Sequence, residues 1–280
     1  MKLVMTLLVR DEEDIIEANI DYHLSRGVDF IIATDNKSVD NTAEILRNYE
    51  RQGHLHYIYE PLDDYSQYKW VTRMARLAAT DFAADWIINN DADEFWWPDA
   101  DADLKSCLSL VPTNQLAVSV NRFNFPMQAP LAESPDPFFE RLTICDLKSV
   151  NSIGAPLPPK SCHRALKDID VSQGNHDVSI NGRPVPTCET ALSIFHFPVR
   201  SYAQFENKIR LGGAAYARNA ELGANVGMTW RFLFERYQEG NFEEEFLKQV
   251  LSQDMVKSET ASGRLKSDVR LRDWMRALRK

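Results

Sequence analysis

Along the first ninety positions the spacing of apolar residues keeps changing period, and each change marks an element. "KLVMTLLV", residues 2–9, is a short Leu/Val-rich run cut off by charge, the pattern of a strand buried on both faces. Ile16, Ile20 and Leu24 then recur at helical spacing, and Gly27 stands where a helix C-cap belongs. "VDFIIATD" predicts a second strand. "SVDNTAEILRNYERQG" predicts a helix capped by Asp40 or Asn41, with Ile45, Leu46 and Tyr49 on one face and Gly53 at its end. "HLHYIYE" predicts a third strand, residues 67–79 a helix, and "DWIINN" a fourth strand. Strands alternating with helices at short spacing predict an α/β fold, a mostly parallel sheet flanked by helices.

Beyond Pro98 the rhythm changes. "LAVSVNRFNF" predicts one more strand, and residues 127–186 hold most of the prolines, the mark of a loop-rich lobe. From Ser201 helical patterns dominate: "YAQFENKIRLGGAAYARN", "GMTWRFLFERYQEG", "FEEEFLKQVLSQ" and "DVRLRDWMRALRK". The expected division is residues 1–125 for ligand binding, 126–200 completing the same domain, and 201–280 as a helical C-terminal region. No period of about 20 to 50 residues repeats, so a solenoid is not supported.

Composition narrows the function classes. With 280 residues, 44% of them hydrophobic, the chain can bury a large core. Its 41 acidic against 32 basic residues give a formal charge of -9, without the basic footprint that nucleic acid requires. The apolar start is too short for a secretory or membrane-spanning segment, so the expectation is a soluble, cytoplasmic protein. Cys107, Cys145, Cys162 and Cys188 form no C-x-x-C pair and read as reduced, mostly packed thiols.

Candidate chemistry gathers at the predicted strand ends: Arg10-Asp11-Glu12, Asp35-Asn36, and Asp91-Ala92-Asp93 in "IINNDADEFWWP". In an open parallel sheet, ligands bind in the crevice beyond the carboxyl ends of the strands. If the chain stays extended, Asp91 and Asp93 point to one side with Cα atoms roughly 6 to 7 Å apart, and they suit one hard divalent cation bridging to phosphates. A solvated turn is the competing reading of any such triplet; the apolar strand before it favours the functional one. The nearby "DADAD", residues 99–103, fails the calcium-loop pattern and reads as a solvated turn capping the next helix. Lys69 and Arg73, one helical turn apart, face either the diphosphate or solvent. Adjacent Trp96 and Trp97 cannot both point one way from an extended chain; one of them, Trp96 being the candidate, is left to face substrate, or both pack.

These residues resemble the nucleotide-sugar-dependent glycosyltransferases of the GT-A fold, family 2-like. The likeness covers "MTLLVRDEEDIIEANIDYHLSRGVDFIIATDNKSVDNTAEIL", "WIINNDADEFWWP" and "IFHFPVRSYAQFENK". It implies a Rossmann-like sheet with a helical C-terminal region and transfer of a sugar, UDP-linked by expectation, to a carbohydrate or other hydroxyl acceptor. Val9, Arg10 and Glu12 match the family's first turn, Asp35, Ser38 and Asp40 its second, and Asp91 with Asp93 its metal motif for Mn²⁺ or Mg²⁺. His196 matches the histidine that completes the metal shell, and Lys208 a lysine on the donor side. Without the family, His196 reads first as a packed, hydrogen-bonded core histidine.

Inversion would need a carboxylate base in the acceptor half. The family's E-D signature and R-x-x-R-W-type segment are not visible; Asp177 is the candidate, with Glu94 and Glu189 as rivals and His176 facing substrate. Two other classes stand beside this reading. A nucleotidyltransferase would show a Gly-rich loop after the first strand, which "LLVRDEED" lacks; a non-catalytic nucleotide- or glycan-binding protein would need no base. The C-terminal helix with Trp274 and Leu278 reads as closing the core or as a peripheral membrane face.

Overall fold

The alternation of the first ninety residues is realised in the computed structural model, which describes all residues except 65, 100–101, 130–133, 220–222 and 224–225. In chain order come β1 (Leu3–Val9), α1 (Ile16–Ser25), β2 (Phe30–Asp35), α2 (Thr42–Arg51), β3 (Leu55–Tyr59), α3 (Gln67–Thr80) and β4 (Trp86–Asp91). Then follow β5 (Glu94–Pro98), α4 (Leu104–Ser109), β6 (Ala117–Val120), β7 (Arg122–Asn124), β8 (Met127–Gln128), α5 (Phe138–Arg141) and β9 (Ile144–Asp146). β10 (Lys160–Arg164), β11 (Ile169–Val171), β12 (Val178–Ile180), β13 (Arg183–Pro184), β14 (Thr187–Glu189) and β15 (Leu192–His196) precede the helical part. That part contains α6 (Tyr202–Arg218), α7 (Met228–Gln238), α8 (Phe242–Leu247), β16 (Val250–Leu251), α9 (Gln253–Ala261), β17 (Leu265–Ser267) and α10 (Arg270–Leu278).

Two expectations change. "LAVSVNRFNF" is two strands, because β6 pairs with β10 and β14 whereas Asn124 of β7 pairs with Asp146 of β9. The helix expected through "FEEEFLKQVLSQ" stops at Leu247, since Val250 and Leu251 pair with β8; Ser252 then caps α9, accepting from Met255 N–H.

The chain packs as two compact units. The first, residues 1–122 and 158–195, holds a seven-stranded sheet in the order β14-β6-β10-β4-β1-β2-β3. β4, β1, β2 and β3 run parallel, and β10 is antiparallel between β4 and β6. This is the mostly parallel, helix-flanked sheet expected for a GT-A fold. Its strands are apolar almost throughout because both faces are covered: Val4, Ile32 and Ile87 share a core with Val71, Met74, Ala75 and Ala78 of α3 and with Ile169, Val171 and Val178 from the small β11-β12-β13 sheet. The register sets Val9 opposite Asp35 and Leu8 opposite Asp91, so the polar ends of three neighbouring strands lie side by side.

The second unit, residues 123–157 and 196–280, contains β17-β9-β7, the β8–β16 pair and helices α5 to α10. The segment 126–200 is thus shared between the two units. α6 and α7 approach closely because Gly212 and Gly213 have no side chain: a Cβ there would stand 2.3 Å from Trp230 and from Phe234. α10 buries Leu271 and Met275, and its Arg276 pairs with Glu140 of α5 at 2.6 Å, which makes it a core-closing helix. Among the described residues no helix is long and apolar enough to cross a membrane. The four cysteines are free, and Cys107, Cys145 and Cys162 are buried as expected.

Candidate active site

The acidic triplet sits on a bend. β4 ends at Asp91, Ala92 and Asp93 form a turn, and Glu94 starts β5, so the extended geometry that would aim both aspartates to one side does not occur. Buried Asn19 of α1 holds this bend, donating through Nδ2 to the carbonyls of Ala92 at 2.9 Å and Glu94 at 2.8 Å, while its Oδ1 accepts from Asn90 Nδ2 at 3.1 Å. His23, one turn further along α1, accepts from Trp96 N–H at Nε2, 3.2 Å away. Its Nδ1 therefore carries the proton and donates to the Asn19 carbonyl at 2.8 Å. Burial holds His23 neutral, its pKa lowered to about 4.

The expectation that Trp96 faces substrate is corrected here. Its ring is fully enclosed, with Nε1–H donating to Asn90 Oδ1 at 3.0 Å, and Trp97 is buried between Tyr22 and Phe195. Covered on both sides, β5 leaves neither indole a face for a sugar. Of "DADAD", Asp103 does cap α4, accepting from Ser106 N–H at 2.7 Å; residues 100 and 101 lie outside those described.

Cations meet Asp91 and Glu94 from β10 and Glu94 from the start of β7. Lys160, only 1% exposed, bridges Asp91 Oδ2 by a short contact and Glu94 Oε1 at 3.2 Å. Arg122 reaches the same Glu94 Oε1 at 3.1 Å. The other Asp91 oxygen accepts from Asn175 Nδ2 at 3.1 Å and lies 3.4 Å from Gln67 Nε2. Fully buried Glu94 keeps Oε2 without a partner, and its pairing with two cations in the interior argues against it as a base. His176, beside Asn175, donates Nδ1–H to the Pro159 carbonyl at 2.8 Å; burial first and then the charge of Lys160 lower its pKa to about 4. Asp177 is exposed, and only its backbone ties down the loop: Ser172 N–H donates to its carbonyl and its own N–H donates to Ser172 Oγ, both at 2.9 Å. Glu189 lies exposed on β14.

The ends of β1 and β2 are laced together. Asp35, 1% exposed, accepts from Ser38 N–H at 2.9 Å and from the Tyr57 hydroxyl at 2.8 Å; burial first and then this hydrogen bond push the Tyr57 pKa up to about 12. Ser38 Oγ accepts from Asp11 N–H, Asp40 accepts from Glu13 and Thr42 N–H, and Thr42 Oγ1 accepts from Glu12 N–H. Asp11 and Lys37 sit in the left-handed region, φ 52° and 61°, a strained conformation that this network maintains. Val9 is buried, Arg10 pairs with Asp63 at 2.5 Å, and Arg73 pairs with nearly buried Glu60 at 3.1 Å; Lys69 is exposed. Thus Asp35, Ser38, Asp40 and the first turn are brought together, whereas Arg73 is engaged by a carboxylate.

Residues 5–145 match the profile of glycosyltransferase family 92. The chain belongs to that family. Half of its length lies in the match, which ends beyond the acidic triplet. A comparison with curated proteins found no match. Among solved structures, the family 92 chain is similar to S. aureus TarS 1-349 in complex with UDP, with TM-score 0.43 and 14% identity over 85% of this chain and 72% of that one. Glucosyl-3-phosphoglycerate synthase from Mycobacterium tuberculosis, in complex with Mg²⁺ and UDP, gives TM-score 0.30 and 18% identity over 44% of this chain and 43% of that one.

In the family 92 chain, His196 and Lys208 belong to the second unit. His196 Nδ1 lies 2.7 Å from Asn124 Oδ1, and the Lys208 ammonium sits 5.9 Å from the centre of the Trp230 ring. Among the described residues no three His, Cys, Asp or Glu side chains gather as a metal-holding group. Both Asp91 oxygens accept hydrogen bonds, one of them from the Lys160 ammonium. Lys160, Arg122, Asn19, Asn175 and Gln67 escape sequence reasoning. The available hint was "KSCHR", a short strand whose lysine follows a proline-rich loop and precedes apolar Cys162.

Proposed function

We propose that this family 92 glycosyltransferase moves a sugar from a nucleotide diphosphate sugar, UDP-linked, to a hydroxyl acceptor with inversion at the anomeric carbon. The observation that carries this reading is the placement of Asp35 and Asp91 at the ends of β2 and β4, the two strands that flank β1, beside the laced first and second turns, in a chain of this family. In an open parallel sheet that edge is where a nucleotide lies. Lys160 and Arg122 lie behind the same edge and offset carboxylate charge where a diphosphate would approach. In this reading Asp93 is the carboxylate of the triplet that faces an accompanying Mn²⁺ or Mg²⁺, which would act as a Lewis acid toward the leaving phosphate.

Asp177 is proposed as the base. Its exposed carboxylate follows the 173–176 stretch that reaches Asp91 through Asn175, so an acceptor hydroxyl beside it would be near the donor. The test incubates the protein with a panel of nucleotide sugars and hydroxyl acceptors, with and without Mn²⁺, following nucleotide diphosphate release and the anomeric configuration of the product. Asp177→Asn is expected to lower kcat by about 10²- to 10⁴-fold while leaving nucleotide affinity unchanged. Unaltered turnover by that variant removes Asp177 from the role, and binding without release by the parent chain removes the transferase reading.

A further inference from the structure

We infer that Lys160 is the resident cation of the Asp91–Glu94 pair, so that the first carboxylate of the D-x-D triplet is a lysine partner and any divalent ion is bound without it. Three observations meet here. Lys160 is 1% exposed, far from the solvated position an unengaged lysine takes, and its ammonium touches one oxygen each of Asp91 and Glu94. Asp91's second oxygen accepts from Asn175 and lies 3.4 Å from Gln67 Nε2, so three of the carboxylate's roughly four acceptor positions face donors, and an ion would have to displace one of them or share Oδ2 with the ammonium. Glu94 Oε2, buried and without a partner, shows an acceptor capacity that neither Lys160 nor Arg122 reaches.

The charges close accordingly. Asp91 and Glu94 carry two negative charges against the two positive charges of Lys160 and Arg122, so these four groups sum to zero, with buried Asp93 standing outside the count. A divalent ion placed on Asp91 would stand within a few ångströms of the ammonium, and two like charges at that range repel. Removing the ammonium frees two carboxylates, one with an orphaned oxygen, and converts the pair into a hard-oxygen site suited to Mn²⁺.

The experiment measures Mn²⁺ binding to the full chain by calorimetry and by loss of the free-ion electron paramagnetic resonance signal, first without nucleotide and then with UDP. Lys160→Met is expected to bind Mn²⁺ about tenfold or more tighter than the parent, with the gain abolished in the Lys160→Met/Asp91→Asn double variant. Asp91→Asn alone is expected to leave Mn²⁺ affinity within about twofold of the parent in both conditions, and this arm decides the matter should Lys160→Met fail to fold. A loss of about tenfold or more in Asp91→Asn, or a folded Lys160→Met with no gain, overturns the inference. Sugar transfer is read in no arm and the nucleotide-free arm needs no donor, so failure of the transferase reading and failure of this one are separable.

Discussion

Replacing Asn19 tests whether the bend at Asp91–Glu94 is held from α1. The side chain is fully buried and its Nδ2 serves two carbonyls, Ala92 at 2.9 Å and Glu94 at 2.8 Å. In Asn19→Leu, which keeps the branching but is larger, the Glu94 carbonyl keeps Asn90 Nδ2 at 3.2 Å, but the Ala92 carbonyl loses this donor in a place water does not reach. Asn90 and His23 lose one partner each and retain another. An orphaned buried acceptor costs about 1–3 kcal/mol and the bonds lost by Glu94, Asn90 and His23 about 0.5–1.5 each, so Asn19→Leu is expected to destabilise by about 2.5–7.5 kcal/mol. At about 2–4 °C per kcal/mol for a chain of this size, the melting temperature falls by roughly 5–30 °C. Asn19→Asp should fare no better, because it turns oxygen lone pairs toward two carbonyl oxygens. The assay is thermal unfolding by circular dichroism, with a urea titration to check that the m-value is unchanged. Shifts under about 1 °C in both variants would refute the clamp.

Acid should destabilise the fold through histidines held neutral. Burial lowers His23 and His163 from 6.5 to about 4, so the unfolded chain binds more protons between those values; the stability they confer is complete above pH 6.5 and lost as pH falls toward 4, on the order of 3 kcal/mol for each. Melting temperature against pH checks this, and His→Gln at both sites should flatten the slope. Gly213→Ala places a Cβ 2.3 Å from Phe234 Cβ, too near the backbone to yield, and should cost about 1–3 kcal/mol in urea unfolding. Asp103→Ala removes the α4 cap and should cost about 1 kcal/mol, seen as a lower urea midpoint.

The alternation up to Asp91 and the capping role of Asp103 follow from the sequence by itself, because periodicity, capping and strand burial are local properties written in consecutive residues. Locality also explains the misreadings: two residues of spacing say nothing of a turn at Ala92–Asp93, and adjacent indoles say nothing of the layers that enclose both. Lys160 lies 69 residues from Asp91, Arg122 28 from Glu94, and Asn19 73 from Ala92. Only the antiparallel placement of β10 beside β4, registered by Cys162 opposite Ile88, carries a lysine to the end of the acidic strand. A buried ammonium is costly unless carboxylates surround it, so whether Asp91 meets a metal or a lysine is decided by tertiary packing, which no window of sequence contains.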